Sequence, residues 1–320
     1  MATLKELSAT PDVLGPGHRL CAGCMAPTVV RQILHATKHP VVVGNATGCL
    51  EVSTTIYPYT AWRSPWIHNA FENAAATTSG VEAAYRSLKR QGKIDKDIRF
   101  VVFGGDGGTY DIGFQSLSGA MERGHKMVYV CYDNGAYMNT GTQRSSATPM
   151  GADTTTSPVG KVVPGKPMHR KDLTAIMAAH NIAYVAQASP SHYNDLIAKA
   201  EKAFEADGSA FINVLATCPR GWRVPAEMSV EILRLAVETH YWPLFEVDHG
   251  TWKITYKPRE VKPVVEFLKA QGRFRHLFTK GNEHIVEEIQ RYVDQGWAEL
   301  EAKAEWSKQK KEAAAAGTAS

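Results

Sequence analysis

Four of the five cysteines stand where they could share one inorganic site. Cys21 and Cys24 form a Cys-Ala-Gly-Cys pair after a Gly/Pro-rich arm, while Cys49 and Cys218 each follow a predicted strand. A CxxC pair by itself suits zinc, thiol–disulfide exchange or an iron–sulfur cluster. Exchange chemistry would place the pair at the start of a helix behind a strand, and zinc sites usually add a second close pair of ligands. Because thiolates from separate loops are typical ligands of a 4Fe–4S cluster, we expect these four cysteines to bind one.

The fifth cysteine has a different setting. Cys131 lies within the run Val-Tyr-Val-Cys-Tyr-Asp, the pattern of a buried strand. Free cysteine in such a run behaves as a small apolar side chain. We therefore expect four ligands and one core residue, with the backbone near Gly23 and Gly48 offering amide groups to the cluster sulfurs.

A second polar set follows two neighbouring strands. Gly105-Asp106-Gly107 ends one predicted strand and Asp133-Asn134 ends the next, with a helix between them. In a parallel βαβ unit both strand ends open on the same edge of the sheet, where ligands bind. Asp106 and Asn134 offer the oxygen ligands that Mg²⁺ prefers, and the glycines with the N-terminus of helix 111–124 would donate amide hydrogens to phosphates. This spacing is typical of thiamine diphosphate sites, and the alternative is a pair of ordinary strand-end turns.

The loop after Asn134 adds polar side chains that could reach a bound cofactor. Asn139, Thr140 and Gln143 are placed to approach its reactive ring or a 2-oxoacid substrate. Three other candidates for substrate or cluster contacts are explained more simply by structural hydrogen bonds: His18, Arg63 and His68.

One group that thiamine chemistry needs is missing from this pattern. Activation of the cofactor requires a glutamate beside its pyrimidine ring. Glu72 and Glu82 fall on a predicted helix, where a packed or solvated position explains them better. The chain also lacks a second α/β unit of similar size. We expect the activating carboxylate to come from another polypeptide.

The composition excludes several classes of protein. The chain has 320 residues, 44% of them apolar, and 36 basic against 32 acidic residues give a net charge of +4. The basic residues are spread along the chain, so nucleic acid is not an expected partner. No signal peptide or long apolar run is evident, which predicts a cytoplasmic protein without a membrane span.

Strand-like and helix-like segments alternate along the chain. This alternation predicts an α/β fold with a mostly parallel sheet flanked by helices, followed by a C-terminal hairpin around 248–250 and further helices. We expect four regions: an N-terminal arm (1–20), an α/β domain holding both cofactors (21–225), a C-terminal extension packing on that domain or on partner subunits (226–305), and a frayed or disordered tail (306–320).

Six motifs occur in order along the chain: GHRLCAGC, VGNATGCLEV, YPYTAWRSPWIHNAFENAAA, GGDGGTYDIGFQSLSGAMERGH, YDNGAYMNTGTQRSS and CPRGW. Together they resemble the β subunit of 2-oxoacid:ferredoxin oxidoreductases of the pyruvate type. The resemblance covers roughly residues 12–300.

The resemblance implies a thiamine-diphosphate-binding fold and the oxidative decarboxylation of a 2-oxoacid to acyl-coenzyme A and CO₂. It assigns one 4Fe–4S cluster to Cys21, Cys24, Cys49 and Cys218, and Mg²⁺ to Asp106, Asn134 and the carbonyl oxygen of Ala136. Cofactor contacts would come from Thr47, Gly48, Gly105, Asp106, Gly107, Gly108, Asn134, Ala136 and Asn139, with Asn139 and Thr140 facing the substrate. Implied partners are an α subunit with the activating glutamate, γ and ferredoxin-like δ subunits or their equivalents, and ferredoxin or a similar acceptor.

Four positions depart from the family pattern and bear on the substrate. Met25 follows the CxxC pair where glycine is usual, Gly135 replaces a glutamate, and Ser64 and Asn69 replace apolar residues. A site that is roomier or less negative at Gly135 would accept a bulkier 2-oxoacid such as phenylglyoxylate. Pyruvate remains the default expectation.

Two alternatives belong to other functional classes. A non-redox thiamine enzyme with structural zinc would be colourless. A non-catalytic electron-transfer subunit would hold the cluster without binding diphosphate, and the intact Asp106 and Asn134 count against it.

Overall fold

The computed structural model of the chain describes residues 4–317 and contains one eight-stranded sheet with the strand order β2-β1-β3-β4-β6-β5-β7-β8. The strands are β1 Val41–Ala46, β2 Trp66–Asn69, β3 Arg99–Gly105, β4 Val128–Asp133, β5 Tyr184–Ala188, β6 Ala210–Leu215, β7 Leu244–Asp248 and β8 Thr251–Tyr256. The α-helices in these residues are α1 Leu4–Ala9, α2 Ala26–Leu34, α3 Cys49–Thr54, α4 Ala74–Arg90, α5 Phe114–Glu122, α6 Leu173–Ala178, α7 Tyr193–Glu205, α8 Pro219–Trp222, α9 Ser229–Glu238, α10 Val264–Lys269 and α11 Glu283–Gly317.

The central strands are buried on both faces. Every residue of β4 and β6 is buried, as are the middle residues of β3. Parallel strands covered by helices on both sides read as near-continuous apolar runs, which is why Phe-Val-Val-Phe and Val-Tyr-Val-Cys-Tyr were recognisable. The mostly parallel fold predicted from the alternating segments is confirmed, and Cys131 lies fully buried in β4 as expected.

The predicted hairpin is present and belongs to the same sheet. Strands β7 and β8 pair antiparallel, and the turn between them has His249 and Gly250 at φ angles of 45° and 76°. Strand β7 also pairs antiparallel with β5. The region predicted as an extension from residue 226 therefore adds two strands to the sheet edge, so the sheet crosses the predicted boundary at 225.

The long helix α11 covers this edge of the sheet. Ser307 accepts a hydrogen bond of 3.1 Å from the backbone N–H of Trp252 in β8, and Lys257 forms an ion pair of 2.5 Å with Glu301. The helix continues to Gly317. Of the two predictions for the tail from residue 306, a frayed helix end or disorder, the helix describes it up to Gly317; residues 318–320 lie outside the described part.

Two helices differ from their predicted bounds in informative ways. The helix predicted at 71–92 is α4, which ends shortly before Gly92. Gly92 has a φ angle of 69°, the left-handed conformation expected of a glycine that terminates a helix. The helix predicted at 111–124 begins earlier, as a π-helical turn at Gly107–Ile112 that leads into α5. Such turns often mark functional sites. No helix of residues 4–317 has the length and apolar character needed to cross a membrane.

Candidate functional site

A cleft lies at the carboxyl ends of β1, β3 and β4, where the topology predicts ligand binding. Its volume is about 40 Å³. It is lined by all the residues expected to contact the cofactor, together with Thr140: Thr47, Gly48, Gly105, Asp106, Gly107, Gly108, Asn134, Ala136 and Asn139. Five further residues line it that the sequence pattern did not single out for this role: Cys49, Phe71, Tyr132, Tyr137 and Met138. The sequence did not indicate the aromatic residues as part of the cleft, because aromatic side chains are equally common at the buried ends of strands.

Asp106, at the carboxyl end of β3, has a strongly raised pKa. It is fully buried and accepts hydrogen bonds from the backbone N–H of Asn134 (3.1 Å) and from the Ser145 hydroxyl. Burial, followed by the negative charge of Asp133, raises the pKa of Asp106 to about 8. A carboxylate in this position requires a nearby positive charge to stay ionised near neutrality.

Two further oxygen atoms converge beside this carboxylate. The amide oxygen of Asn134 lies 2.9 Å from the carbonyl oxygen of Ala136 and 3.0 Å from Oδ1 of Asp106. Without a cation, the amide must rotate so that its NH₂ group donates to both oxygens. With a cation, these separations match the edge of an octahedron of oxygens at ~2.0–2.1 Å from Mg²⁺, which is about 2.9 Å. The donor set therefore fits Mg²⁺ on this chain's own geometry.

The π-helical turn places its first amide groups at the floor of the cleft. Gly107 follows Asp106 directly, and a Cβ atom there would collide with the ring of Tyr137. Gly113 closes the turn, where a Cβ would collide with the carbonyl oxygen of Gly108. Only glycine lets the turn approach these neighbours. Without side chains, the backbone N–H groups of the turn are accessible, as a phosphate-binding segment requires.

The loop that follows Asn134 forms one wall of the cleft. Tyr137 and Gln143 exchange backbone hydrogen bonds of 2.9 and 3.2 Å, which closes residues 137–143 into a small loop. Within it, the Thr140 hydroxyl donates to Gln143 at 2.6 Å, and Gln143 donates back to the Thr140 carbonyl at 2.8 Å. Asn139 and Thr140 are exposed at its tip, so both face away from the core and toward any ligand or partner.

Asp133 supports the cleft without lining it. Its Oδ2 accepts hydrogen bonds from the Tyr110 hydroxyl (2.7 Å) and from the Arg170 guanidinium, and its Oδ1 accepts from the Gly135 N–H (3.1 Å). Asn213 donates to the same Tyr110 hydroxyl at 2.7 Å. Sequence reasoning missed Arg170, because a basic residue in a Pro/Gly-rich loop gives no sign of a distant partner.

Lys166 anchors the long loop beside the cleft. Its side chain is buried and its ammonium group donates to the backbone carbonyls of Thr148 (2.5 Å) and Ser146 (3.3 Å). Burial lowers the pKa of Lys166 to about 8. The lysine thereby fixes the segment whose Ser145 hydroxyl binds Asp106.

The four predicted cluster ligands come from separate elements on one side of this cleft. Cys49 begins α3, Cys218 caps α8, and Cys21 and Cys24 lie just before α2. Short apolar segments after Cys24 and from Cys49 onward form the helices α2 and α3. Burial raises the pKa of Cys24 and of Cys49 to about 12, and neighbouring thiols add to both shifts.

Backbone amides point at two of the sulfurs. The Gly221 N–H donates to Sγ of Cys218 at 3.4 Å, and the Arg220 and Ala26 amides lower the pKa of Cys218 and Cys24 respectively. The amides thus come from the first turns of α8 and α2, where N–H groups lack partners within the helix, rather than from Gly23 and Gly48 as expected. Such donors are the usual means of stabilising negative sulfur.

The thiols are not arranged around a single ion. Within residues 4–317, no three side chains of His, Cys, Asp or Glu are grouped closely enough to bind one metal. The cysteine sulfurs that bind a 4Fe–4S cluster lie farther apart than those that bind one ion, because each sulfur binds a different iron atom. The thiols interact electrostatically across the group: Cys218, Cys24 and Cys21 all raise the pKa of Cys49.

The cysteine group adjoins the cleft directly. Cys49 lines it, and the charge of Asp106 contributes to the raised pKa of Cys49. Met138, on the opposite wall, packs so closely on Gly221 of α8 that a Cβ at Gly221 would collide with its sulfur. Tyr132 stands between the two features, with its hydroxyl beside Gly48.

Two of the remaining candidates, His68 and Glu82, have structural partners, whereas the buried Nδ1 of His18 has no hydrogen-bond partner among the described residues. His68 contacts the Thr47 hydroxyl at 2.7 Å, which positions a cleft residue. Glu82 is buried and binds His125 (2.8 Å) and Arg86 (2.9 Å), so it is not an activating carboxylate. No glutamate of the described residues lines the cleft.

The positions that depart from the family pattern are also explained in part. Met25 is buried in the core, whereas the side-chain oxygens of Ser64 and Asn69 are buried without a hydrogen-bond partner, and nothing in the structure explains these two residues. Gly135 does not line the cleft; a Cβ there would meet Nη1 of Arg273 at 2.9 Å and Pro149 at 3.4 Å. The space beyond its Cα is therefore filled, and the idea of a roomier site at Gly135 loses its basis.

A larger cavity lies elsewhere, between the sheet and α11. It measures about 220 Å³ and is lined by none of the predicted site residues. The smaller cleft carries the converging oxygens and the glycine backbone, so chemistry rather than size identifies the site.

The chain is similar to several known proteins. The family model described as "Thiamine pyrophosphate enzyme, C-terminal TPP binding domain" matches residues 43–214. "Pyruvate synthase subunit PorB" of Thermotoga maritima is 59% identical, over 89% of this chain and 90% of that protein. "Ketoisovalerate oxidoreductase subunit VorB" of Pyrococcus horikoshii is 44% identical, over 90% and 92%. The solved 2-oxoglutarate:ferredoxin oxidoreductase of Magnetococcus marinus shares the fold, with a TM-score of 0.51 at 22% identity over 71% of this chain and 78% of that one.

Proposed function

The chain belongs to the family of 2-oxoacid:ferredoxin oxidoreductase β subunits that includes pyruvate synthase subunit PorB, and we propose that it is the thiamine-diphosphate-binding subunit of a pyruvate oxidoreductase. The observation that carries the proposal is the convergence of Asp106, Asn134 and the Ala136 carbonyl in a cleft that Cys49 also lines. Pyruvate is favoured because identity is 59% to a pyruvate synthase subunit and 44% to a ketoisovalerate oxidoreductase subunit.

Asp106, Asn134 and Ala136 would hold Mg²⁺, and the amides at Gly107 and Gly108 would bind the diphosphate. When bound, thiamine diphosphate supplies the carbon nucleophile and electron sink for decarboxylation of a 2-oxoacid. The chain's own residues position it: Ser145 and the Asn134 N–H fix the Asp106 carboxylate, while Asp133 and Arg170 hold the strand end from behind. Asn139 and Thr140 would face the substrate from the exposed tip of the loop.

Cys21, Cys24, Cys49 and Cys218 would bind a 4Fe–4S cluster, which accepts electrons one at a time. The contact of Cys49 with the cleft favours direct electron transfer between the two sites. The amides of Ala26, Arg220 and Gly221 would stabilise the sulfurs.

The proposal includes partner chains. Because no glutamate of the described residues lines the cleft, an α subunit would supply the activating carboxylate. The γ and ferredoxin-like δ subunits or their equivalents, ferredoxin as acceptor, and coenzyme A as acyl acceptor complete the proposed reaction. A cytoplasmic location and a catalytic role for Asn139 and Thr140 also stay predictions.

The test is a spectroscopic assay of the complex purified without oxygen. Without an added electron acceptor, pyruvate with coenzyme A should bleach its brown absorbance, and coenzyme A without pyruvate should not. Bleaching by phenylglyoxylate and not by pyruvate would support the bulkier substrate instead. A colourless complex containing zinc and no iron would contradict the redox function and favour the zinc alternative.

A further inference from the structure

Arg273 is a buried cation without a carboxylate partner. Its side chain is 3% exposed, and its Nε donates to the neutral Gln271 Oε1 at 2.9 Å. Among the described residues, no carboxylate forms an ion pair with its guanidinium. Burial lowers the pKa of Arg273 to about 10, which still leaves it protonated near neutrality. Buried charges are normally paired, so this exception calls for a function.

The surroundings of Arg273 connect it to the cysteine group. Its guanidinium lies 4.2 Å from the ring centre of Trp222, the last residue of α8. The backbone N–H of Trp222 donates to the carbonyl of Cys218 at 2.8 Å, so the helix that carries the arginine's stacking partner starts at a predicted cluster ligand.

The same guanidinium also adjoins the strand end that supports the cleft. A Cβ at Gly135 would lie 2.9 Å from its Nη1. The Trp222 ring nitrogen donates to the Asn134 carbonyl at 2.6 Å. Asp133, the acid of this segment, forms its ion pair with Arg170, so its charge acts on Arg273 without a direct ion pair. Arg273 therefore stands behind both the Mg²⁺-binding loop and α8, in contact with neither the substrate space nor the cleft.

We propose that Arg273 raises the reduction potential of the iron–sulfur cluster held by Cys218, and that Gly135 is required for this because it leaves the guanidinium unpaired. The inference rests on the proposed function, since it needs a cluster at these cysteines. One-electron reduction adds one negative charge to the cluster, and a fixed positive charge in a low-dielectric setting stabilises the reduced form. Arg273 is a tuning residue: it makes electron acceptance more favourable without touching the substrate or the cofactor.

The experiment is a redox titration of the assembled complex, followed by electron paramagnetic resonance at low temperature. The resonance signal that the wild-type complex shows and the Cys218→Ser complex lacks identifies this cluster among any others. Arg273→Gln should shift its midpoint potential to more negative values, by a roughly tenfold change in the reduced-to-oxidised ratio, or ~59 mV for one electron. Arg273→Lys keeps the charge and should restore most of the potential, which a purely structural role of the guanidinium would not predict.

A second pair of variants tests the same inference without removing the arginine. Gly135→Glu should place a carboxylate beside the guanidinium and shift the potential in the same direction as Arg273→Gln. Gly135→Gln has the same size and the same left-handed backbone strain but no charge, and it should leave the potential unchanged. Equal shifts in the Glu and Gln variants, or no shift in Gly135→Glu with a cluster present, would overturn the role of Arg273. A wild-type complex without any signal dependent on Cys218 would instead contradict the proposed function itself.

Discussion

Asp106 is the single side chain on which the proposed metal site depends most. Its buried carboxylate faces the Asn134 amide oxygen, and only a cation or an amide rotation relieves that arrangement. Asp106→Asn should weaken Mg²⁺-dependent binding of thiamine diphosphate to the complex at least ~tenfold. Isothermal titration with and without Mg²⁺ measures this directly. Asp111→Asn is the matched control, because Asp111 binds Ser146 and does not line the cleft; equal losses in both variants would refute the assignment.

The two kinds of cysteine make opposite predictions. Cys218→Ala removes a sulfur that receives an amide hydrogen bond at the start of α8, so the purified complex should lose the iron of one cluster. Cys131→Ala changes a buried strand residue and should keep its full iron content. Iron analysis per complex distinguishes the two. Iron retained in Cys218→Ala would exclude this residue as a ligand.

The polar residues that line the cleft were more predictable from the sequence than the residues that support them. Asp106 and Asn134 could be identified from the sequence because each lies at the end of an apolar strand, at the edge of a parallel sheet where ligands bind. Arg170, Lys166 and Arg273 gave no such sign. Their partners lie far away in the sequence, and a basic residue in a loop is ordinarily solvent-exposed.

Close packing of α4 on β1 sets the position of the strand that delivers Thr47 and Gly48. A Cβ at Gly44 would collide with the Thr78 hydroxyl, which has no hydrogen-bond partner. Gly44→Ala should lower the free energy of unfolding by about 1–3 kcal/mol. Because the obstacle is one hydroxyl group, adding Thr78→Ala should recover most of that loss, while Thr78→Ala alone should be nearly neutral. Chemical denaturation of the four proteins tests this, and additive losses would show that the contact is not responsible.

The elements themselves were recognisable where their patterns were long and apolar. Strands β3, β4 and β6 and helices α4 and α7 follow from alternating β-branched and helical segments. Short elements escaped: β2 has four residues and α3 six, too few to show a period. The π-helical turn escaped for another reason, since Gly-Gly-Thr-Tyr-Asp-Ile reads as a loop until Tyr110 packs against the sheet and its hydroxyl binds Asp133.

Acid sensitivity of the whole fold should arise in part from the edge of the sheet. Glu246 in β7 is buried, yet it accepts hydrogen bonds from Lys202 at 2.6 Å and Tyr184 at 2.7 Å. Burial alone would raise the pKa of Glu246, but these partners lower it below its ordinary value. The unfolded chain therefore takes up the proton first on acidification. The stabilisation is complete above the ordinary glutamate pKa of about 4.3 and is lost as the pH falls through the lower folded value.

Glu246→Gln should accordingly be less stable than the wild type at neutral pH, and the difference should shrink as the pH falls below about 4. Melting temperatures measured from pH 7 to about pH 3 reveal the trend. Glu299→Gln, on the exposed face of α11, provides a control whose difference from the wild type should stay small at every pH. A constant difference for Glu246→Gln across the range would contradict the lowered pKa.

Helix α11 has a consequence for how the chain is made. It is the last described element to leave the ribosome, and it shields the outer strand β8, including the Trp252 N–H that Ser307 binds. Until α11 has been synthesised, the nascent chain presents a bare strand edge that another chain could join. Aggregation through the edge of β8 is therefore a risk that lasts until residues 283–317 have been made and folded.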